Sequence, residues 1–369
     1  MINRQSVRLG FFLSIIVFCA IVWLDYKPSF ASSLEDRIDA LLDRRFDPNN
    51  PGVAVLVKKG SIVIYSGGQG VADLEKRTPI TEESVFDLAS VSKHFTAGAI
   101  LLLLQEGKLD LDKPVADYIK EFSLASPGRP VKVRDLIYHT SGIPDYTSND
   151  WKGSDQALSA MTNASHVLWL NKGKFHSAPG AKFEYNNSGY ALLARIVEVV
   201  SGQTFPDFMN NRFYQPLEMQ DTFVYRKYGQ NHPKQVKGYK KGFISYSQAS
   251  EPLLVSGDGN IFSNLNDLAR WDDSLRKGTI LKRESLRLAW TPGRLDSDRL
   301  ATDEKDHDGY GFGWFINNRE HFVYHSGSWA GTASYYFKAF DDDLTIIALS
   351  NEENQDLEVL VDEIDDLLK

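Results

Sequence analysis

Apolar residues recur at helical spacing in SLEDRIDALLDRRF, where Leu34, Ile38, Leu41 and Leu42 share one face, and this predicts an amphipathic helix. Two β-branched runs follow in GVAVLVKKGSIVIYSGG around Lys58-Lys59-Gly60-Ser61, which predicts a hairpin with glycine at its turn. The other end of the chain is similar. HFVYHSG, TASYYFKAF and LTIIALSN are strand-like, Asp341, Asp342 and Asp343 turn between the last two, and NQDLEVLVDEIDDLL reads as a closing amphipathic helix. From about 81 to 305, helical stretches alternate with Gly/Pro/Asn loops without a repeat period. The pattern predicts an α+β fold in which both chain ends (about 32–80 and 306–369) pair into one antiparallel sheet flanked by helices, with a large, mostly helical insertion. A cleft between sheet and insertion is the expected place for a small-molecule site.

Composition narrows the function classes. The 369 residues are 42% hydrophobic and 24% charged, ordinary for a globular chain with a sizeable core. A formal net charge of -8 supplies no basic footprint, so nucleic acid is not an expected partner. At the N-terminus, Arg4 and Arg8 precede an apolar run over residues 9–24, followed by Ser29-Phe30-Ala31. That layout is a signal peptide over residues 1–31 or a retained membrane anchor, leaving one domain over 32–369 that is exported to the periplasm or outside the cell. Cys19, the single cysteine, lies in that run, so the mature domain has no disulfide and no thiol nucleophile.

Three constellations carry candidate chemistry. In LASVSKHFTAGAILLLLQEGKL, Ser90 and Lys93 stand at i and i+3 at the head of an apolar helix, close enough to touch. A serine hydroxyl needs a neighbouring base to become a nucleophile, and a lysine whose charge is disfavoured can serve. The plainer alternative is that Ser90 caps the helix and Lys93 snorkels to the surface. In PGAKFEYNNSGYALLARIVEVVSG, Tyr185 and Asn187 precede a helix expected from about Gly189 to Val200. A phenol relays protons and a carboxamide hydrogen-bonds a substrate amide; alternatively, Asn187 caps the helix and Tyr185 only packs. In HSGSWAG, His325 and Gly327 lie on a predicted edge strand where a substrate can approach closely. His325 could bind a carboxylate there, or simply pack. His321 and His325 are too far apart along a strand to share a zinc ion, and no G-x-S-x-G or phosphate-loop motif occurs. No cofactor is expected.

Taken in order, S-x-x-K at Ser90, Y-x-N at Tyr185 and H-S-G at His325 resemble the motifs of the penicillin-recognising serine hydrolases, in their class C beta-lactamase-related branch. GKLDLDKPVADYI, VRDLIYHTSGIPDY, PLEMQDT, SGDGNIFSNLNDLARW and GYGFGWF resemble further segments of that family, from about Gly52 to Asn351. The resemblance implies a beta-lactamase/transpeptidase-like fold. Ser90 would be the acylated nucleophile, Lys93 and Tyr185 would share the roles of base and proton donor, and Asn187 would orient the acyl side. The backbone N–H groups of Ser90 and Ser328 would form an oxyanion hole, with His325 and Gly327 binding substrate. His325 replaces the lysine of dedicated class C beta-lactamases, and a neutral imidazole holds an anion more weakly, which weakens the expectation of efficient beta-lactam hydrolysis. Glu218 departs from the glycine usual in PLGM. The implied activity is hydrolysis of an amide or ester, such as a D-alanyl peptide or beta-lactam-like compound, with peptidoglycan fragments as a possible partner class. A carboxylesterase on small esters and a non-catalytic cell-wall binding or regulatory module are the alternatives. Trp329 and Tyr146 are candidates for the pocket wall, and oligomeric state stays open.

Overall fold

The computed structural model describes residues 33–148, 150, 153–227, 230–249, 253–302 and 308–369; the segment read as signal peptide or anchor lies outside them. Helix α1 (Leu34–Arg45) starts at Ser33, whose hydroxyl accepts from the Asp36 N–H while the Asp36 carboxylate accepts from the Ser33 N–H. This reciprocal cap satisfies two N–H groups left without helical partners. Strands β1 (Val53–Lys59) and β2 (Ile62–Gln69) form the first hairpin, with Gly60 at a φ of 60°. The C-terminal strands are β3 (Gly309–Tyr310), β4 (Phe315–Asn317), β5 (Phe322–Trp329), β6 (Thr332–Ala339) and β7 (Leu344–Ser350).

All seven join in one sheet, ordered β3-β4-β5-β6-β7-β1-β2. Each pairing is antiparallel, and β1 meets β7 from Val53↔Ser350 to Lys59↔Leu344. Strands β1 and β7 are buried on both faces almost throughout, so they read as continuous apolar runs rather than alternating ones. One face packs under α1 and the terminal helix α5 (Leu357–Leu368), with Ile38, Val55, Ile346 and Leu360 in that cluster.

The opposite face packs on the middle of the chain. Helices α2 (Lys93–Gln105), α3 (Asn187–Ser201) and α4 (Leu265–Lys277) supply its largest apolar faces. Every residue of α2 from Lys93 to Leu103 is buried, as expected for a helix without a polar stripe. The middle is less purely helical than its pattern predicts. Short strands Phe86–Asp87, Phe223–Val224 and Ile261–Ser263 form a three-stranded sheet, and Tyr239–Lys241 pairs with Tyr246–Gln248. Glu218 adopts a φ of 57°, the left-handed region in which glycine is unstrained.

A buried ionic cluster joins the two halves. Lys58, expected beside the hairpin turn, instead points from β1 into the interior, where its Nζ lies 2.7 Å from both Asp272 and Asp273 on α4. Lys338 from β6 reaches the same Asp272 at 2.8 Å, and the hydroxyls of Tyr336 and Thr345 also donate to it. Burial alone would raise the Asp272 carboxyl, but Lys338 and Lys58 outweigh it and hold the group below its ordinary value.

Candidate active site

Ser90 lies in a short 3-10 turn, Ala89–Ser92, one step before α2 begins. Three contacts hold the turn from outside. The Leu88 N–H donates to the Ile261 carbonyl at 2.9 Å, the Ile261 N–H donates to the Ser92 hydroxyl at 3.2 Å, and the Ser334 hydroxyl donates to the Leu88 carbonyl at 2.7 Å. Ala89 takes a φ of 45°, uncommon without glycine, and its N–H is held by the Asp87 carboxylate at 2.9 Å. The serine is thus presented from a constrained turn rather than from the regular helix its spacing suggests.

Gly327 of β5 is where sheet and turn meet. A Cβ there would lie 2.7 Å from the Leu88 carbonyl oxygen and 2.9 Å from the Ser90 backbone nitrogen, closer than side chains pack against main chain. Gly327→Ala is therefore expected to push the Ser90 turn off β5. Misplacement approaching 1 Å costs about 100-fold in rate. A kcat/KM within threefold of wild type would show that the close approach is dispensable.

Lys93 points back from α2 to three acceptors: the Ser90 hydroxyl at 3.0 Å, Asn187 Oδ1 at 2.8 Å and the Asp258 carbonyl at 2.8 Å. Burial lowers its pKa to about 8, against the raising influence of Asp258 and Asp145. Tyr185 is hydrogen-bonded to Ser90, and burial holds its phenol well above its ordinary value. Its ring lies under the Lys93 ammonium, 5.0 Å from Nζ to centroid. These environments separate the two groups: the lysine can shed its proton near neutrality, while the phenol stays protonated and able to donate.

The second motif is set by its neighbours. Asn186 rather than Asn187 caps α3, its side chain accepting from the Gly189 N–H, so Asn187 is the first helical residue and its carboxamide faces Lys93. The Asn187 N–H donates to Asp145 at 2.7 Å, and its Nδ2 donates to the Thr147 hydroxyl at 2.7 Å. Its amide orientation is thereby assigned, with oxygen to the lysine. Asp258 contributes more than its carbonyl. Burial raises its carboxyl to about 6 despite Lys93 and the Tyr146 phenol, which donates to Oδ2 at 2.7 Å.

His325 departs from its expected role. Its ring turns inward, with Nε2 2.9 Å from the Tyr310 hydroxyl and Nδ1 donating to the Ser326 carbonyl at 2.6 Å. Burial, followed by Lys93, lowers its pKa to about 3. A neutral imidazole with both nitrogens engaged offers no charge to a substrate carboxylate, and period-two alternation turns His325 and Gly327 to the buried side of β5 and Ser326 and Ser328 outward. Two clefts open at Ser90. The smaller, about 70 Å³, is lined by Asn187, Tyr146, Asp258 and Trp329; the larger, about 430 Å³, is lined by Tyr185 and His325. Ser90 and Ser328 line both.

The structure therefore gathers Ser90, Lys93, Tyr185 and Asn187 around one hydroxyl. It adds Asp145, Thr147 and Asp258, of which Asp145 lies in VRDLIYHTSGIPDY, Thr147 directly follows that segment, and Asp258 lies in SGDGNIF. The beta-lactamase family model matches residues 34–369. This chain belongs to the beta-lactamase family. It is 30% identical over 319 residues to penicillin-binding protein 4* of Bacillus subtilis (strain 168), covering 81% of this chain and 68% of that one. Protein flp of Staphylococcus aureus (strain MRSA252) is 27% identical over 89% of this chain, which spans 65% of flp's own length. The octameric penicillin-binding protein homologue from Pyrococcus abyssi superimposes with a TM-score of 0.73 at 26% identity, over 86% of this chain and 73% of that chain. The fold is the beta-lactamase/transpeptidase-like one, and the family is one of serine hydrolases.

Proposed function

We propose that this protein is an exported serine hydrolase that takes an acyl group from an amide or ester onto Ser90 and passes it to water or an amine. The observation that carries the reading is the 3.0 Å contact between the Ser90 hydroxyl and a buried Lys93 whose pKa is lowered to about 8. Neutral Lys93 accepts the Ser90 proton as Oγ attacks the carbonyl. Protonated Tyr185 then donates to the leaving group as the carbon–heteroatom bond breaks, and water releases the acyl group by the reverse relay. The backbone N–H groups of Ser90 and Ser328 are assigned to the developing oxyanion. D-alanyl peptides and beta-lactam-like compounds are the first substrate class, and export rests on the layout of residues 1–31.

A specific observation favours the second reading, a carboxylesterase on small esters. Among the described residues lining the two clefts there is no lysine or arginine, Lys93 is buried beneath Ser90, and His325 is neutral, so a terminal carboxylate finds no exposed cation. Incubation with a fluorophosphonate, followed by peptide mass spectrometry, is expected to place one adduct on the peptide containing Ser90. An unlabelled Ser90 peptide in folded protein would favour the non-catalytic binding module instead.

A further inference from the structure

The outer face of the sheet carries a trough of about 840 Å³ beside α5. Alternation along β5 puts Phe322 and Tyr324 on this face, opposite to His325. Phe315, Tyr324 and Phe337 sit in register across β4, β5 and β6. Phe322, Tyr324, Tyr335 and Phe337 floor the trough, with 6.0 Å between Phe322 and Tyr324, 5.7 Å between Tyr324 and Tyr335, and 5.1 Å between Phe322 and Phe337, and Phe315 stacks on Tyr324 at 5.3 Å beside it. Carboxylates make the walls: Glu358, Asp362 and Asp365 from α5, Glu320 and Asp342 from the strand ends. The cations there are Lys59 and Lys369, and Lys369 is already bound to Asp365 at 2.9 Å and Asp366 at 3.1 Å. Burial first, and then Asp365 and Asp366, raise the Asp362 carboxyl, which Lys369 only partly offsets.

The trough adjoins the larger cleft of the candidate active site. Tyr335 and Glu358 line both it and the larger cleft at Ser90, and the Phe315 ring stacks 6.2 Å from Tyr185. Tyr185, assigned above as donor to the leaving group, lines that cleft, while Asn187 lines the smaller one. The smaller cleft, about 70 Å³ against about 430 Å³ for the larger, is the tighter of the two and suits the acyl portion of the substrate. The larger, Tyr185-lined cleft then takes the leaving-group side.

We propose, resting on the acyl-transfer reading of Ser90, that the trough binds the leaving-group portion of the substrate and that this portion is a basic, partly apolar peptide chain. Ammonium or guanidinium heads meet the carboxylate wall and the ring faces, and aliphatic stems lie along the floor.

Two N-blocked peptides with an O-acetylserine at one end test this, one continuing in alternating lysine and phenylalanine, the other in alternating glutamate and phenylalanine. Ester hydrolysis is expected to favour the basic peptide about tenfold in kcat/KM, the order that a few partly screened charge pairs provide. The preference should fall to about twofold or less in the Glu320→Gln/Asp362→Asn/Asp365→Asn variant. Equal rates in wild type, or a preference that survives in the variant, overturns the proposal. Anisotropy of a fluorescein-labelled, unesterified basic peptide separates the trough from the chemistry. Binding to wild type and not to the variant, with neither ester turned over, supports the trough while the acyl-transfer reading falls. No binding overturns the trough even if small esters are hydrolysed. A dimer lost in the variant, with no peptide binding, makes a second copy the occupant and likewise overturns it.

Discussion

Replacing Lys93 with alanine is expected to lower kcat/KM by about 10²- to 10⁴-fold, the range for loss of a positioned general base. The variant removes the only amine within hydrogen-bond reach of Ser90 among the described residues. Tyr185 cannot take over near neutrality, because burial keeps its phenol protonated. The pH profile distinguishes chemistry from structure. With Lys93 titrating at about 8 and active when neutral, wild-type kcat/KM should climb about tenfold per unit of pH below that value and level off above it. The alanine variant should lose this rise. Lys93→Arg should be as inactive as alanine, since a guanidinium cannot be deprotonated in a protein. Removing the ammonium also leaves Asn187 Oδ1 and the Asp258 carbonyl without their donor, at about 1–3 kcal/mol per unsatisfied group, so melting curves must accompany the kinetics. A folded alanine variant with wild-type rate and an unchanged profile would eliminate Lys93 as the base.

The second large effect is on stability. Asp272→Ala is expected to cost about 3–5 kcal/mol, the usual penalty for removing one partner of a buried ion pair. Lys338 would be left with the Thr345 hydroxyl, at 3.1 Å, whereas Lys58 retains Asp273 and the Ala269 carbonyl. The uncompensated charge therefore falls mainly on Lys338, and a second change, Lys338→Met, should recover part of the loss. The pH dependence has a definite sign. Because the folded-state carboxyl is held below its ordinary value, its contribution is fully present above the unfolded carboxylate range and is lost as pH falls through the depressed value. Wild type and variant should differ most near neutrality and converge in acid. Urea titrations giving a difference under 1 kcal/mol at pH 7 would show that the cluster is not a structural clamp.

The two regions differ in how readily their sequences disclose them. Ser90 and Lys93 are three positions apart, so elementary helix geometry already makes them neighbours. The alternation in HFVYHSG and TASYYFKAF likewise announces strands whichever partners they find. Lys58 is the contrary case. A lysine beside a glycine turn looks solvent-exposed, and only the arrival of Asp272, 214 positions away, makes its burial tolerable. Asp145, Thr147 and Asp258 were passed over for the same reason: short polar residues in loops are ordinary turn formers, and nothing local marks one as the support of a distant carboxamide or lysine.

His325 shows the limit from the other side. Its place in the third motif is plain in the linear order, but its engagement with Tyr310 and its loss of charge depend on which way β5 faces and what covers it. The chain by itself determined the strand and helix periods, which follow from spacing and side-chain type, and the resemblance carried by its three motifs marked the serine, lysine, phenol and carboxamide as candidates. Tertiary structure alone decided the lysine's lowered pKa, the histidine's neutrality, the sizes of the two clefts and the acidic aromatic trough. Each of these depends on desolvation and on charges brought together from distant positions, and both scale with distances that exist only after folding.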